Sequence, residues 1–265
     1  MRTLRDLDFA FSPCPNDTYI FGALVEGLMG DNWRIARPTL LDIEELNRAA
    51  NKGLYDVVKV SVAAYPLFAD QYDILPCGGA LGFGVGPLVV RAKNAPQTPP
   101  EGASILIPGE QTTANLLLST FYPQVGERRV KLFSEIMPAI AAGECEYGVI
   151  IHEGRFTYRS HGLELVSDLG ELWTEQYGLP IPLGVICVHR DMEQGLKGMV
   201  ADGIRKSLAY AHAHPEGVAG YIAKNAQELS EEVQLEHIRL YVNDFSMDLG
   251  ELGWEAIRRL VANRQ

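Results

Sequence analysis

The chain lacks most of the features that would assign it to a secreted, membrane or nucleic-acid-binding class. Its four cysteines, Cys14, Cys77, Cys145 and Cys187, are widely spread and form no C-x-x-C pair, so neither a disulfide framework nor a structural zinc site is expected. No stretch approaches the roughly 20 consecutive apolar residues needed to span a bilayer. The opening residues, Met1 to Phe9, lack the apolar run and small-residue cleavage site of a secretory leader, and a cytoplasmic location is the expectation. Basic residues are outnumbered, 23 Lys and Arg against 34 Asp and Glu, which gives a formal net charge of −11. No basic cluster interrupts that field, so nucleic acid and anionic membrane are not expected partners. Internal repeats and low-complexity tracts are absent too. Small molecules remain as the expected partners.

What is present is an α/β pattern. Apolar runs alternate with amphipathic stretches, as in a protein with mainly parallel sheets. Strands are expected at Phe9 to Phe11, Tyr55 to Ser61, Pro87 to Arg91, Ser104 to Pro108, Val130 to Phe133, Tyr147 to His152 and Leu183 to His189. Asp17 reads as the N-cap of a helix running from Thr18, and Asp42 with Glu45 as a capping box opening a second helix that Gly53 ends. A further helix is expected from Thr113 to Tyr122. After Asp191 the strands stop, and apolar residues recur at helical spacing through Ile204, Leu208, Val218, Ile222, Ile238, Tyr241, Ile257 and Leu260. The proline-rich turn 95–102 marks a change of texture. The expected organisation is a discontinuous lobe of residues 1–92 plus 187–265, with residues 93–186 inserted as a second lobe.

Parallel sheets bind ligands beyond the carboxyl ends of their strands. Four segments end there: Ser12 to Asp17, Lys59-Val60-Ser61, Gly109 to Ala114 and His152 to Arg155. Two fall in each lobe, which would gather them at one cleft. Lys59 interrupts an apolar strand, with Ser61 on the same face; it either meets a partner or ligand, or carries its charge to water along its stem. Thr112, Thr113 and Ala114 open a helix, where free N–H groups suit a carboxylate or carbonyl and equally suit ordinary capping. His152 puts an imidazole at the mouth of a buried strand, in position for a general base or for a structural role. His161, His189, His212, His214 and His237 read as solvated. The glycines from Gly78 to Gly86 contain no G-x-G-x-x-G followed by a helix, so turns or close backbone approach explain them better than a nucleotide site.

Taken together, Ser12-Pro13-Cys14-Pro15-Asn16-Asp17-Thr18, Lys59-Val60-Ser61, Gly78-Gly79-Ala80-Leu81-Gly82, Thr112-Thr113-Ala114 and Ile151-His152-Glu153-Gly154-Arg155-Phe156-Thr157-Tyr158 resemble the 1,4-dihydroxy-6-naphthoate synthase family. Leu179 to Gly184 and Tyr241-Val242-Asn243 extend the likeness over nearly the whole chain. The resemblance implies a two-lobed type II periplasmic-binding-protein-like fold used as an enzyme in the futalosine route to menaquinone. It implies a lyase that converts cyclic dehypoxanthinyl futalosine to 1,4-dihydroxy-6-naphthoate without an organic cofactor or metal. His152 matches the family's proton acceptor, and Lys59, Val60, Ser61, Thr113 and Ala114 match its substrate-binding segments, with Asn16 and Asp17 in support. Glu110-Gln111 departs from the more basic pair expected there, which leaves the contact made by Glu110 open. A solute-binding protein of the same fold and a chorismate dehydratase of the same pathway are the alternatives.

Overall fold

The computed structural model describes residues 2–226 and 230–263; Met1 and the C-terminal end of the expected first lobe lie outside them. Eleven strands are found among the described residues. In chain order they are β1 (Phe9–Phe11), β2 (Thr39–Leu40), β3 (Val57–Ser61), β4 (Tyr72–Ile74), β5 (Ala80–Gly82) and β6 (Leu88–Ala92). They continue with β7 (Ile105–Ile107), β8 (Arg128–Val130), β9 (Tyr147–Ile150), β10 (Leu163–Asp168) and β11 (Ile181–His189). One sheet has the order β2-β1-β3-β11-β4, with β5 added on β11; the other has the order β10-β6-β9-β7-β8.

Two expectations need correction. The sheets are mixed rather than mainly parallel. Parallel pairing joins β1 to β2 and β3, and β7 to β8 and β9. The crossing strands run the other way: β11 is antiparallel to β3, β4 and β5, and β6 is antiparallel to β9 and β10. A strand that leaves one lobe or returns from the other enters its sheet against the local direction. The lobe boundaries also move. Leu88–Ala92 pairs in the second sheet and Ile181–His189 in the first, so the chain crosses just before β6 and again between β10 and β11.

At these crossings the backbones touch. A Cβ on Gly86 would lie 2.5 Å from the backbone N of Gly170, so only glycine lets the two segments pass. Arg155 braces the same place, donating to the carbonyls of Gly84 (2.9 Å) and Gly86 (3.1 Å) and pairing with Asp168 at 2.5 Å. Asp168 in turn caps the helix Leu169–Tyr177 through the N–H groups of Gly170 and Glu171.

Helices cover both faces of the sheets. One apolar cluster runs through both lobes, from Leu46, Val58 and Val185 to Val89, Leu117, Tyr147 and Trp173. A second packs Pro15–Glu26 and the long helix Gln194–Ala213 on the outer face of the first sheet through Phe21, Leu24, Ile204 and Leu208. A third packs Phe133–Ala141 on the second sheet through Ile136 and Ile140. Phe133 thus begins a helix rather than ending a strand, and its ring packs on His152. Beyond His189 only helices follow among the described residues, as the 3.6-residue periodicity predicts.

The first helix starts earlier than expected, at Pro15 with Cys14 as its N-cap residue. Proline suits the first helical position, where no N–H is needed. Asp17 is thereby freed from capping. The second helix, Ile43–Asn51, opens as expected with the carboxylate of Asp42 accepting from the N–H of Glu45 at 2.9 Å. No helix among the described residues is long and apolar enough to cross a membrane.

Candidate active site

A cleft lies between the lobes, and it gathers all four strand-end segments. Ser12, Asn16, Asp17, Lys59 and Ser61 line it from the first lobe, and Thr112, Thr113, Ala114 and His152 from the second. His237 and Tyr241, from the helix Glu231–Tyr241, complete the wall.

Lys59 does not reach water. It is 3% exposed, and its ammonium donates to Asp17 Oδ1 at 2.7 Å and to the Gly78 carbonyl at 3.2 Å. Asp17 also accepts from Ser12 Oγ at 2.7 Å, from the Ser12 N–H at 3.2 Å and from Asn16 Nδ2 at 2.9 Å. A buried ion pair survives only with such supporting bonds, because desolvation of both charges is costly. Strand alternation puts Lys59 and Ser61 on the cleft face and sends Val60 into the core, where it is fully buried. The Ser61 hydroxyl accepts from Asn47 Nδ2 at 3.0 Å, and its N–H donates to Asn47 Oδ1 at 2.8 Å. The hydroxyl hydrogen of Ser61 is left available for a ligand.

Thr112 caps the helix Thr113–Phe121 by accepting from the N–H of Asn115 at 3.2 Å. The N–H groups of Thr113 and Ala114 fall in that helix's first turn, where no intrahelical acceptor exists. The Thr113 hydroxyl has another task. It donates to the Leu183 carbonyl at 2.9 Å and accepts from the Ala63 N–H at 3.3 Å, tying the second lobe to the first. Glu44 makes a second bridge, accepting from the Gln111 N–H at 3.1 Å. A Cβ on Gly109 would come within 2.6 Å of Glu44 Cδ, so any other residue there would push that carboxylate aside. Burial pushes the Glu44 carboxyl above its usual range, against the pull of the Gln111 N–H and Arg48.

β9 ends at Ile150, and His152 sits in the turn beyond it with φ 56°, the sole positive φ outside glycine among the described residues. A left-handed backbone at a non-glycine residue costs of order 1 kcal/mol and recurs at functional positions. The imidazole packs edge-on against Phe133, with ring centroids 4.9 Å apart, and stacks on His237 at 6.1 Å with 25° between planes. Although the residue keeps some exposure to the cleft, the surrounding protein desolvates the ring and lowers its pKa to about 4; the Asp17 charge pulls it up and Lys59 opposes. It is neutral at physiological pH.

Several contributors were missed in the sequence. His237 was expected to be solvated, yet it is fully buried, with Nε2 2.9 Å from Asn16 Oδ1. Its one signal is the four-residue spacing to Tyr241, which puts both on one helix face. Asn47 and Glu44 lie on the capped helix Ile43–Asn51 with no local signal that one would hold Ser61 within the lobe and the other would pair with Gln111 across the cleft. Among the described residues, no group of three or more His, Cys, Asp or Glu is placed to hold a metal ion.

A family described as menaquinone biosynthesis matches residues 7–264. The chain belongs to that family. A relative from Thermus thermophilus, named 1,4-dihydroxy-6-naphthoate synthase, is 47% identical over 99% of this chain and 95% of its own. One from Streptomyces coelicolor with the same name is 42% identical over 96% and 91%. Among solved structures, a protein from Archaeoglobus fulgidus superposes with a TM-score of 0.90 at 34% identity, over 97% of this chain and 96% of that one. A Candida albicans protein described as having the generic periplasmic-binding-protein fold matches with a TM-score of 0.68 at 13% identity, over 100% and 89%. The family's fold in this chain is therefore the two-lobed periplasmic-binding-protein-like one.

Proposed function

We propose that the chain forms 1,4-dihydroxy-6-naphthoate from cyclic dehypoxanthinyl futalosine, as a cytoplasmic carbon–carbon lyase with His152 as its base. The observation that carries this reading is the convergence of His152, the Lys59–Ser61 strand end and the Thr113–Ala114 helix start on one cleft, in a family whose full-length relatives bear the synthase name. Each group has a task that fits its surroundings. The unpaired N–H groups of Thr113 and Ala114, with the Ser61 hydroxyl, hold substrate oxygens and position the reacting carbons. Neutral His152 removes a proton, and the electron pair left behind drives elimination and carbon–carbon cleavage towards the aromatic product.

An imidazole with a pKa near 4 is always available at neutral pH, but it is a weak base. The imidazolium formed in the step needs negative charge beside it, which Asp17 and a substrate anion supply. Contact of the lobes across Thr113 and Glu44 excludes water while this happens.

Incubating the purified chain with cyclic dehypoxanthinyl futalosine and analysing the product by mass spectrometry tests the reading. Formation of 1,4-dihydroxy-6-naphthoate supports it. Tight binding with the ligand returned unchanged would mark a solute-binding protein instead, and turnover of chorismate alone would mark the dehydratase.

A further inference from the structure

The hydrogen-bond chain behind the cleft fixes the tautomer of its second imidazole. Asp17 Oδ1 is a carboxylate acceptor, so the Asn16 atom 2.9 Å away must be its amide nitrogen. Asn16 therefore presents its carbonyl oxygen to His237, whose Nε2 at 2.9 Å must be the protonated nitrogen. The ring is fully buried, stacked on His152 and tilted against Tyr241, with centroids 6.1 and 4.6 Å away. Burial and the neighbouring His152 push its pKa well below the ordinary value, so the ring is neutral. Its Nδ1 is then a bare lone pair, and it is a buried polar atom with no hydrogen-bond partner. Buried acceptors are rarely left unpaired in folded proteins, and one in a cleft wall points to a donor that arrives with the ligand.

Beside the lone pair of neutral His152, the other open valences of the cleft are donors: the Thr113 and Ala114 amides, the Ser61 hydroxyl and the ammonium of Lys59, which uses two of its three hydrogens. These suit a carboxylate or carbonyl. A dihydroxynaphthoate carries one carboxylate and two O–H donors, so its recognition calls for two acceptors, one more than His152 provides.

We propose that His237 is a substrate-contacting residue, its Nδ1 accepting the hydrogen of a ring hydroxyl and so orienting the ring against His152. This deepens the functional reading above and rests on it. It gives the helix Glu231–Tyr241 of the first lobe a part in recognition beside the strand ends. The Asp17–Asn16 chain then serves to hold the acceptor in one tautomer, beyond its role in neutralising Lys59.

The test compares anaerobic binding of 1,4-dihydroxy-6-naphthoate with that of 2-naphthoate, which keeps the carboxylate and lacks the hydroxyls. The wild type is expected to favour the dihydroxy compound about tenfold, the scale of one buried hydrogen bond. H237F, which keeps an aromatic ring in the stack, should lose that preference while still binding 2-naphthoate. An H237F protein that folds and keeps the preference overturns the inference. Wild-type protein that binds neither compound overturns the functional reading itself. Imidazole nitrogen-15 NMR of the wild type covers the case in which the variant does not fold. The His237 Nδ1 resonance should start in the unprotonated range and shift with the dihydroxy compound only; a protonated Nδ1 in the free protein, or the same shift with both ligands, refutes the assignment.

Discussion

The two walls of the cleft are built on opposite principles. On the first lobe the charges are answered: Lys59, Asp17, Asn16 and Ser12 satisfy one another in a buried network, and Asn47 fixes Ser61. On the second lobe His152 makes no side-chain hydrogen bond among the described residues, and the Thr113 and Ala114 amides start a helix with no acceptor behind them. The first wall is chiefly an electrostatic frame that leaves only single valences open, at Ser61, Lys59 and His237, and the second carries the base and the free helix-start amides. Catalysis by preorganisation needs both, because groups aimed at the reacting atoms are effective only if their support does not move.

The sharpest way to break this contrast is at His152. His152→Asn should lower kcat/KM about 10²- to 10⁴-fold, the usual share of a general base. Asparagine tolerates the left-handed backbone better than most residues, so the thermal midpoint should hardly change. Near wild-type turnover in a folded variant would remove His152 from the chemistry.

The frame should respond in the reverse way. Lys59→Met leaves the Asp17 carboxylate buried without its countercharge and should cost about 3–5 kcal/mol in urea unfolding. Adding Asp17→Leu should recover much of that stability while activity stays lost. If the single variant unfolds like wild type, the pair is not the frame described here.

Acid should separate the walls next. The folded His152 imidazole is pushed down to about 4 from an ordinary 6.5, so on lowering the pH the unfolded chain binds a proton first. Its contribution to stability is complete above pH 6.5 and is lost as the pH falls towards 4. Urea midpoints measured across this window should fall less steeply in His152→Asn than in wild type; parallel curves would contradict the depressed value.

The smallest effect is expected at the lobe bridge. Glu44→Ala leaves the Gln111 N–H unpaired when the lobes meet, a loss of about 1 kcal/mol. Small-angle scattering should show a modestly larger radius of gyration, and an unchanged radius would mean that the bridge does not bias closure.

Much of this was legible because it is local. The capped helix Ile43–Asn51, the strand Val57–Ser61 with Lys59 and Ser61 on one face, and the helix start at Thr112–Ala114 follow from spacing and capping chemistry. Long-range pairing was not legible. The crossing strands β6 and β11 have apolar runs that look alike in either direction, so their antiparallel registers and the shifted lobe boundaries could not be read from composition. Asp17 lies inside the first helix, which starts at Pro15, and its carboxylate is free to meet Lys59, 42 positions away.

The amino-acid order by itself determined the α/β pattern, the family likeness and the strand-end positions of the reactive groups, because periodicity and turn chemistry act over a few residues. Only the tertiary structure decided what each group meets. It buried His237 against Asn16 across 221 positions, set His152 beyond its strand in a left-handed turn, and used the Thr113 hydroxyl to join the lobes. Burial and hydrogen-bond partnership depend on which surfaces pack together, and that is a property of the whole fold.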